Sequence, residues 1–232
     1  MSGLAPSPAP GLLQTVVGVL AQPVPTLRRV SLERRVGWAM VVVLVVSAAS
    51  ALALMVIFAS ALTIEAFTQQ FPDALRELDI EVQRELEEAT ARARAITLVI
   101  IPLVVPGFSV VALVVTTAIY QVTCRLLGGK GPYSGLLAGF GFADVPFIFG
   151  MPFSLLPLAL GLWGELLSLL VQLGLLCWVA VLWGIVIREN NSFSTARATA
   201  ALLIPQVVLG LLVILAALLF FMLVLLNLSQ TG

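Results

Sequence analysis

The chain of 232 residues is 60% hydrophobic and only 10% charged, whereas soluble domains carry about 25% charged residues. This composition excludes an ordinary water-soluble globule. The 12 basic and 12 acidic residues cancel, which leaves no basic surface for nucleic acid. The chain also lacks histidine, so histidine-based catalysis and nearly all catalytic zinc sites are excluded. We therefore expect a polytopic membrane protein.

The N-terminal segment, residues 1–36, precedes the first long apolar run and is expected to lie in the cytoplasm. From Leu12 to Val30, apolar and polar residues recur at near-helical spacing. This pattern predicts a short helix along the membrane surface, with Arg28 and Arg29 against anionic headgroups. A mobile tail is the alternative interpretation.

Long uncharged runs mark the membrane spans. Each run exceeds the roughly 20 apolar residues needed to cross a bilayer, and one further stretch is apolar apart from Asp144. The fold class is therefore an all-α integral membrane protein, with one membrane domain over residues 37–232. Its five spans are expected at about 37–62, 96–122, 134–160, 164–187 and 199–226.

The basic residues set the expected orientation. They are in excess before span one, after span two and after span four. The positive-inside rule places these three segments in the cytoplasm. Five spans then leave the N-terminus inside and the C-terminus outside.

The spacing of apolar and acidic residues over 71–95, between spans one and two, predicts an acidic amphipathic helix that begins at Pro72 and Asp73. One face is apolar, and the other carries several glutamates. We favour an extension of span two that is solvated on its charged face. The alternative is a docking surface or a vestibule that attracts cations.

A stripe of small residues opens the third span. Gly135, Gly139 and Ala143 are spaced four apart, and such a stripe lets another helix approach closely in a bilayer. Asp144 follows, about 15 Å deep if the helix starts near Ser134 and rises ~1.5 Å per residue. An ionised carboxylate facing lipid there would cost at least about 2.5–3.5 kcal/mol, so Asp144 must face the bundle, reach water or be protonated.

Prolines follow the acid, at Pro146, Pro152 and Pro157. Each removes an amide donor, which predicts that the third span is kinked or broken. Broken helices with a buried acid form ion sites in many transporters. Asp144, Pro146 and Gln172 are therefore a candidate intramembrane polar site. We favour a structural role in which Asp144 hydrogen-bonds Gln172 on span four.

No catalytic set of residues emerges from the sequence. Cys124 and Cys177 lie in or beside apolar runs and are expected to be small core residues. A serine nucleophile would lack a base, and a two-aspartate intramembrane protease would need a second buried acid. We expect no enzymatic activity, no cofactor and no metal.

Three segments carry a family resemblance. Residues 13–24 form an apolar helix that leads to Ala21-Gln22-Pro23, and residues 128–147 form a small-residue helix that leads to Pro146. Residues 183–198 contain Ser194-x-x-Arg197-Ala198. In this order and spacing, the chain resembles the prokaryotic form of the Yip-domain family of five-span membrane proteins.

The resemblance implies a non-enzymatic protein that organises the plasma (inner) membrane of a prokaryote or binds partner proteins there. The expected partners are the lipid bilayer and a membrane protein or a second copy, but no nucleic acid. Eukaryotic members carry an Asp-Leu-Tyr-Gly-Pro motif and contact Rab-type GTPases. This chain has only Gly131-Pro132-Tyr133, so GTPase binding is not carried over. The alternative function is a small proton- or ion-coupled transporter or channel that uses Asp144.

Overall fold

The computed structural model describes residues 11–61 and 80–231. All regular structure in these ranges is helical. The elements are α1 (Leu12–Ala21), α2 (Pro23–Glu33), α3 (Val36–Ala61), α4 (Ile80–Leu126), α5 (Tyr133–Ala143), a 3-10 helix (Val145–Phe149), α6 (Gly150–Ser154), α7 (Leu156–Asn191) and α8 (Thr195–Thr231).

Five segments of the described chain are long and apolar enough to cross a membrane, which confirms the predicted number. They are Val36–Ser60, Arg84–Leu126, Tyr133–Ser154, Leu156–Asn191 and Thr195–Met222. The predicted boundary between spans three and four falls at a break in the helical backbone of α7, at Gly161. Beyond this break the chain folds back on itself, so closely that a Cβ atom at Gly164 would collide with the Leu156 carbonyl. At Gly161 φ is 53° and ψ is −132°, a conformation that glycine adopts readily.

The N-terminal helices α1 and α2 pack on the bundle. Pro23 begins α2, where its missing N–H has no helical partner to lose. Val19, Leu27 and Val30 are buried at 2% exposure or less and join the main hydrophobic core. Residues 12–33 are therefore anchored helices, which excludes a mobile tail for this stretch.

The helix α4 is continuous over 47 residues. Its first turns include the described part of the acidic segment, and residues 71–79 of that segment lie outside the described residues. Arg92 donates to Glu88 at 3.2 Å, but both side chains are more than half exposed, so the pair adds little stability. From Ile80 onward the acidic segment runs into the second span without interruption.

The short helix α5 is the centre of the bundle. All nine residues from Gly135 to Ala143 are buried, and α2, α3, α4 and α7 surround them. A Cβ atom at Gly139 would collide with Val186 of α7, and one at Gly135 would collide with Asn190 of α7 and the Ser31 carbonyl of α2. Small side chains therefore allow neighbouring helices to approach α5 closely.

The other end of the bundle is more open. The helix α5 ends at Ala143, and the third span continues through the 3-10 helix and α6. In α8, Ala198 and Ala201 are buried. Every large apolar side chain from Val207 to Met222 is more than half exposed, as expected of a helix that faces lipid.

Candidate functional site

Asp144 lies midway along the third span, at the residue that caps α5. Its Oδ1 accepts a hydrogen bond of 3.3 Å from the indole Nε1 of Trp183 in α7. The predicted bond to Gln172 is wrong. Gln172 precedes Trp183 by about 16 Å along the same helix at ~1.5 Å per residue, and it donates to the Gly150 carbonyl instead, at 3.3 Å.

An aromatic cluster orients the indole of Trp183. Its ring stacks on Phe140 at 4.6 Å between centroids, with an interplanar angle of 15°. Tyr120 packs edge-on against Phe140 at 5.3 Å and against Trp183 at 5.5 Å, and such edge-to-face pairs are favourable. The cluster therefore fixes the N–H that reaches Asp144. The sequence analysis missed these three rings, although a tryptophan within a span needs an acceptor for its N–H and could have indicated the pair.

The same tyrosine ties the fifth span to the bundle. Gln206 Nε2 of α8 donates to the hydroxyl oxygen of Tyr120 at 2.5 Å. That hydroxyl donates in turn to the Leu202 carbonyl at 3.4 Å. The amide of Gln206 is thus satisfied inside the membrane, and α4, α5, α7 and α8 meet around one cluster.

A cavity of about 490 Å³ lies beside Asp144, between α3, α4, the second half of the third span and α7. Its walls run from Val43 to Ile57 on α3 and from Val105 to Thr116 on the antiparallel α4. At ~1.5 Å per residue these stretches make the cavity roughly 20 Å long. Asp144 lies at the end near Val43 and Thr116.

The structure brings two of the three predicted polar-site residues to this cavity. Asp144 and Gln172 both line it, whereas Pro146 is buried in the 3-10 helix and is not among the lining residues. Of the predicted packing residues, Gly135, Gly139 and Ala143 are all buried in α5. Gly135 and Gly139 lie against residues of α2 and α7.

Four of the five hydroxyl groups in the cavity wall, all but that of Thr116, donate their protons to their own helices. The four bonds run from Ser47 to the Leu44 carbonyl (3.2 Å), Ser50 to Val46 (2.9 Å), Ser109 to Val105 (2.8 Å) and Ser154 to Met151 (2.7 Å). The oxygen lone pairs of these four side chains remain free to accept hydrogen bonds from a molecule in the cavity. The wall is therefore rich in hydrogen-bond acceptors.

A second polar cluster closes the loop between α4 and α5. The buried Asn191 accepts from the Gly131 N–H at 3.0 Å and donates to the Ile187 carbonyl at 3.1 Å. Asn190 donates to the Pro132 carbonyl at 3.2 Å, and Gln121 donates to the Gly131 carbonyl at 3.0 Å. These groups hold the loop in place, and the sequence analysis did not single them out.

The two cysteines differ in environment. Cys124 is buried, as expected, but Cys177 is exposed because only one side of α7 packs on the bundle. Among the described residues, no group of three or more histidine, cysteine or acidic side chains could hold a metal.

The helices, their hydropathy and the packing of polar groups within the bundle define a polytopic α-helical membrane protein. The Yip1 domain matches residues 17–226. The chain belongs to the Yip1 domain family, and this confirms the resemblance to that family seen in the sequence. No curated protein and no solved structure matches the chain.

Proposed function

We propose that this Yip1-family protein is non-enzymatic and organises the bilayer or binds partner proteins at the cytoplasmic face of a prokaryotic plasma membrane. The observation that carries the proposal is the helix pair α1–α2. Its inner side chains belong to the bundle core, while its outer side chains are mostly apolar or basic, with Gln14, Gln22 and Glu33 as the other exposed polar residues.

The outer residues of this pair recur at helical spacing. Leu13 and Val17 are 74% and 55% exposed on one face of α1. Arg28 and Leu32 share a face of α2, and Leu32 is 68% exposed. The side chain of Arg28 is 66% exposed and lies 3.8 Å from the carboxylate of Glu189, and its neighbour Arg29 is also exposed. Exposed apolar residues beside arginine suit the headgroup region of a bilayer, where each basic residue contributes about 1 kcal/mol of attraction to anionic lipid. Because the pair is anchored to the bundle, whatever binds it is held at the membrane.

Photo-crosslinking tests this surface. A photoreactive residue at Leu13, Val17 or Leu32 of the full chain in native membranes is expected to give lipid or protein adducts. The matched control is Val19, which is 0% exposed and should crosslink only within the chain. An absence of adducts at all three outer positions would mean that these positions face water. The proposed surface would then be wrong.

The proposed topology places the N-terminus in the cytoplasm and the C-terminus outside. An odd number of spans puts the two ends on opposite sides, and the arginines choose which side is inside. Reporter tags after Met1 and before Gly232 are expected to be active in opposite compartments. Signals from one common compartment would contradict this topology.

The place where α5 ends is consistent with an effect of Pro146 on the helix of the third span. Pro146 cannot donate to the Phe142 carbonyl, and its ring crowds that carbonyl. We attribute the end of α5 and the start of the 3-10 helix to this residue. The acidic segment is proposed to extend the second span beyond the membrane, with its glutamates solvated.

A transporter or channel is the second candidate, and only the cavity at Asp144 favours it. Against it, Asp144 is the single carboxylate among the described residues that line the cavity, and coupled transport usually needs further titratable or ligand groups. Proton or cation flux into liposomes tests it. We expect equal flux for the parent and Asp144→Asn, whereas a loss of flux in the variant would favour transport.

A further inference from the structure

We propose that the cavity beside Asp144 binds an amphiphilic amine: a single hydrocarbon chain that ends in a protonated ammonium group, with the ammonium at Asp144. The inference is independent of the α1–α2 surface, because the cavity lies between other helices.

The first step is the chemistry of the wall. Ser47, Ser50, Ser109 and Ser154 have donated their protons to backbone carbonyls, and the amide N–H of Gln172 is directed to Gly150. The N–H of Trp183 is directed to Asp144. Only the Thr116 hydroxyl and the second N–H of the Gln172 amide remain as side-chain donors among the described lining residues. Acceptors therefore outnumber donors in this wall, which favours a ligand that brings its own donors.

The second step is the carboxylate. Two carboxylate oxygens can accept about four hydrogen bonds, and the described residues supply one, from Trp183. No arginine or lysine lies among the described residues that line the cavity. An ionised carboxylate without a cation is costly in an apolar site, whereas a paired one is tolerated. An ammonium group supplies both the positive charge and up to three donors.

The third step is size and shape. The cavity of about 490 Å³ is within the ~300–1,000 Å³ range of small-molecule sites and is far larger than an ion needs. Between the scattered hydroxyls, its long wall is formed by side chains such as Val46, Leu54 and Leu113. Such a wall cannot replace the hydration shell of an inorganic ion, but it suits an alkyl chain. The acid at one end then selects the head group.

The probe for this site is tritiated dodecylamine, with dodecanol and dodecanoate as competitors of the same chain length. Binding is measured to the full-length protein in nanodiscs, against empty nanodiscs. We expect saturable binding at about one amine per chain. Dodecanol should compete at least tenfold more weakly than unlabelled dodecylamine, and dodecanoate should not compete.

The variants separate the carboxylate from the cavity. Asp144→Asn should weaken amine binding at least tenfold, whereas Glu165→Gln, an exposed carboxylate on α7 outside the cavity, should leave it unchanged. Ser109→Leu fills the cavity and should reduce binding with the carboxylate intact, and Val115→Leu on the exposed side of α4 should not. This second pair decides the result if Asp144→Asn fails to fold. Unsaturable partitioning, equal competition by dodecanol, or unchanged binding in both cavity variants would overturn the proposal.

Discussion

Gly139→Leu is expected to prevent stable assembly of the bundle. A side chain at this position would run into Val186 of α7 and approach the hydroxyl of Ser31 in α2. Val186 is 0% exposed and Ser31 is 2% exposed, so neither has open space into which to move. Overpacking of a close-packed core costs about 1–3 kcal/mol and occasionally more. Three extra carbon atoms beyond the Cβ, at a helix crossing where the Cβ alone would already collide with Val186, place this variant at the high end of that range.

The measurement is the fraction of monodisperse protein in detergent after heating, followed by size-exclusion chromatography. Gly174→Leu in α7 and Gly210→Leu in α8 are matched controls, because a Cβ atom there meets nothing within 4 Å. Both controls should survive heating as the parent does. If Gly139→Leu were as stable as these controls, the close approach of α5 and α7 would be wrong.

Trp183→Ala is expected to have the second large effect on stability. The substitution removes the ring that stacks on Phe140 and the edge contact to Tyr120. It also removes the one donor that the described residues give to Asp144. Loss of a large aromatic side chain from a core costs about 3–5 kcal/mol, and the half-buried position of Trp183 places this variant near 3 kcal/mol.

Two further variants divide this effect into its parts. Trp183→Phe keeps a stacked ring but removes the N–H, and an unsatisfied buried partner costs about 1–3 kcal/mol. Its loss of stability should lie between those of the parent and Trp183→Ala. Trp163→Ala on the same helix is the control, because that side chain is 76% exposed and should be nearly neutral. Equal stability of Trp163→Ala and Trp183→Ala in detergent would show that the aromatic cluster does not hold the bundle together.

The spans were predictable because membrane insertion depends on the sum of hydropathy along a segment. Runs without charge, such as the one from Arg35 to Glu65, mark their own ends. The third and fourth spans were predicted to meet between residues 160 and 164, and the helical backbone breaks there, at Gly161.

The candidate site was predictable in part. An acidic residue within a long apolar run is unusual in a membrane span, so Asp144 could be identified from the sequence. Its partner could not, because Gln172 and Trp183 lie on the same helix and differ only in depth and in rotation about the helix axis. The choice between them depends on where α7 crosses α5, and that crossing depends on the space left at Gly135 and Gly139.

The amino-acid sequence by itself determined that this protein spans a membrane, how many times it does so, and the family to which it belongs. Each of these follows from properties that add up residue by residue along the chain. The tertiary structure alone decided which donor reaches Asp144, that a cavity opens beside it, and that α1 and α2 are fixed to the bundle. These features depend on the relative rotation and crossing of helices far apart in the chain, and close packing of side chains from several helices sets that geometry.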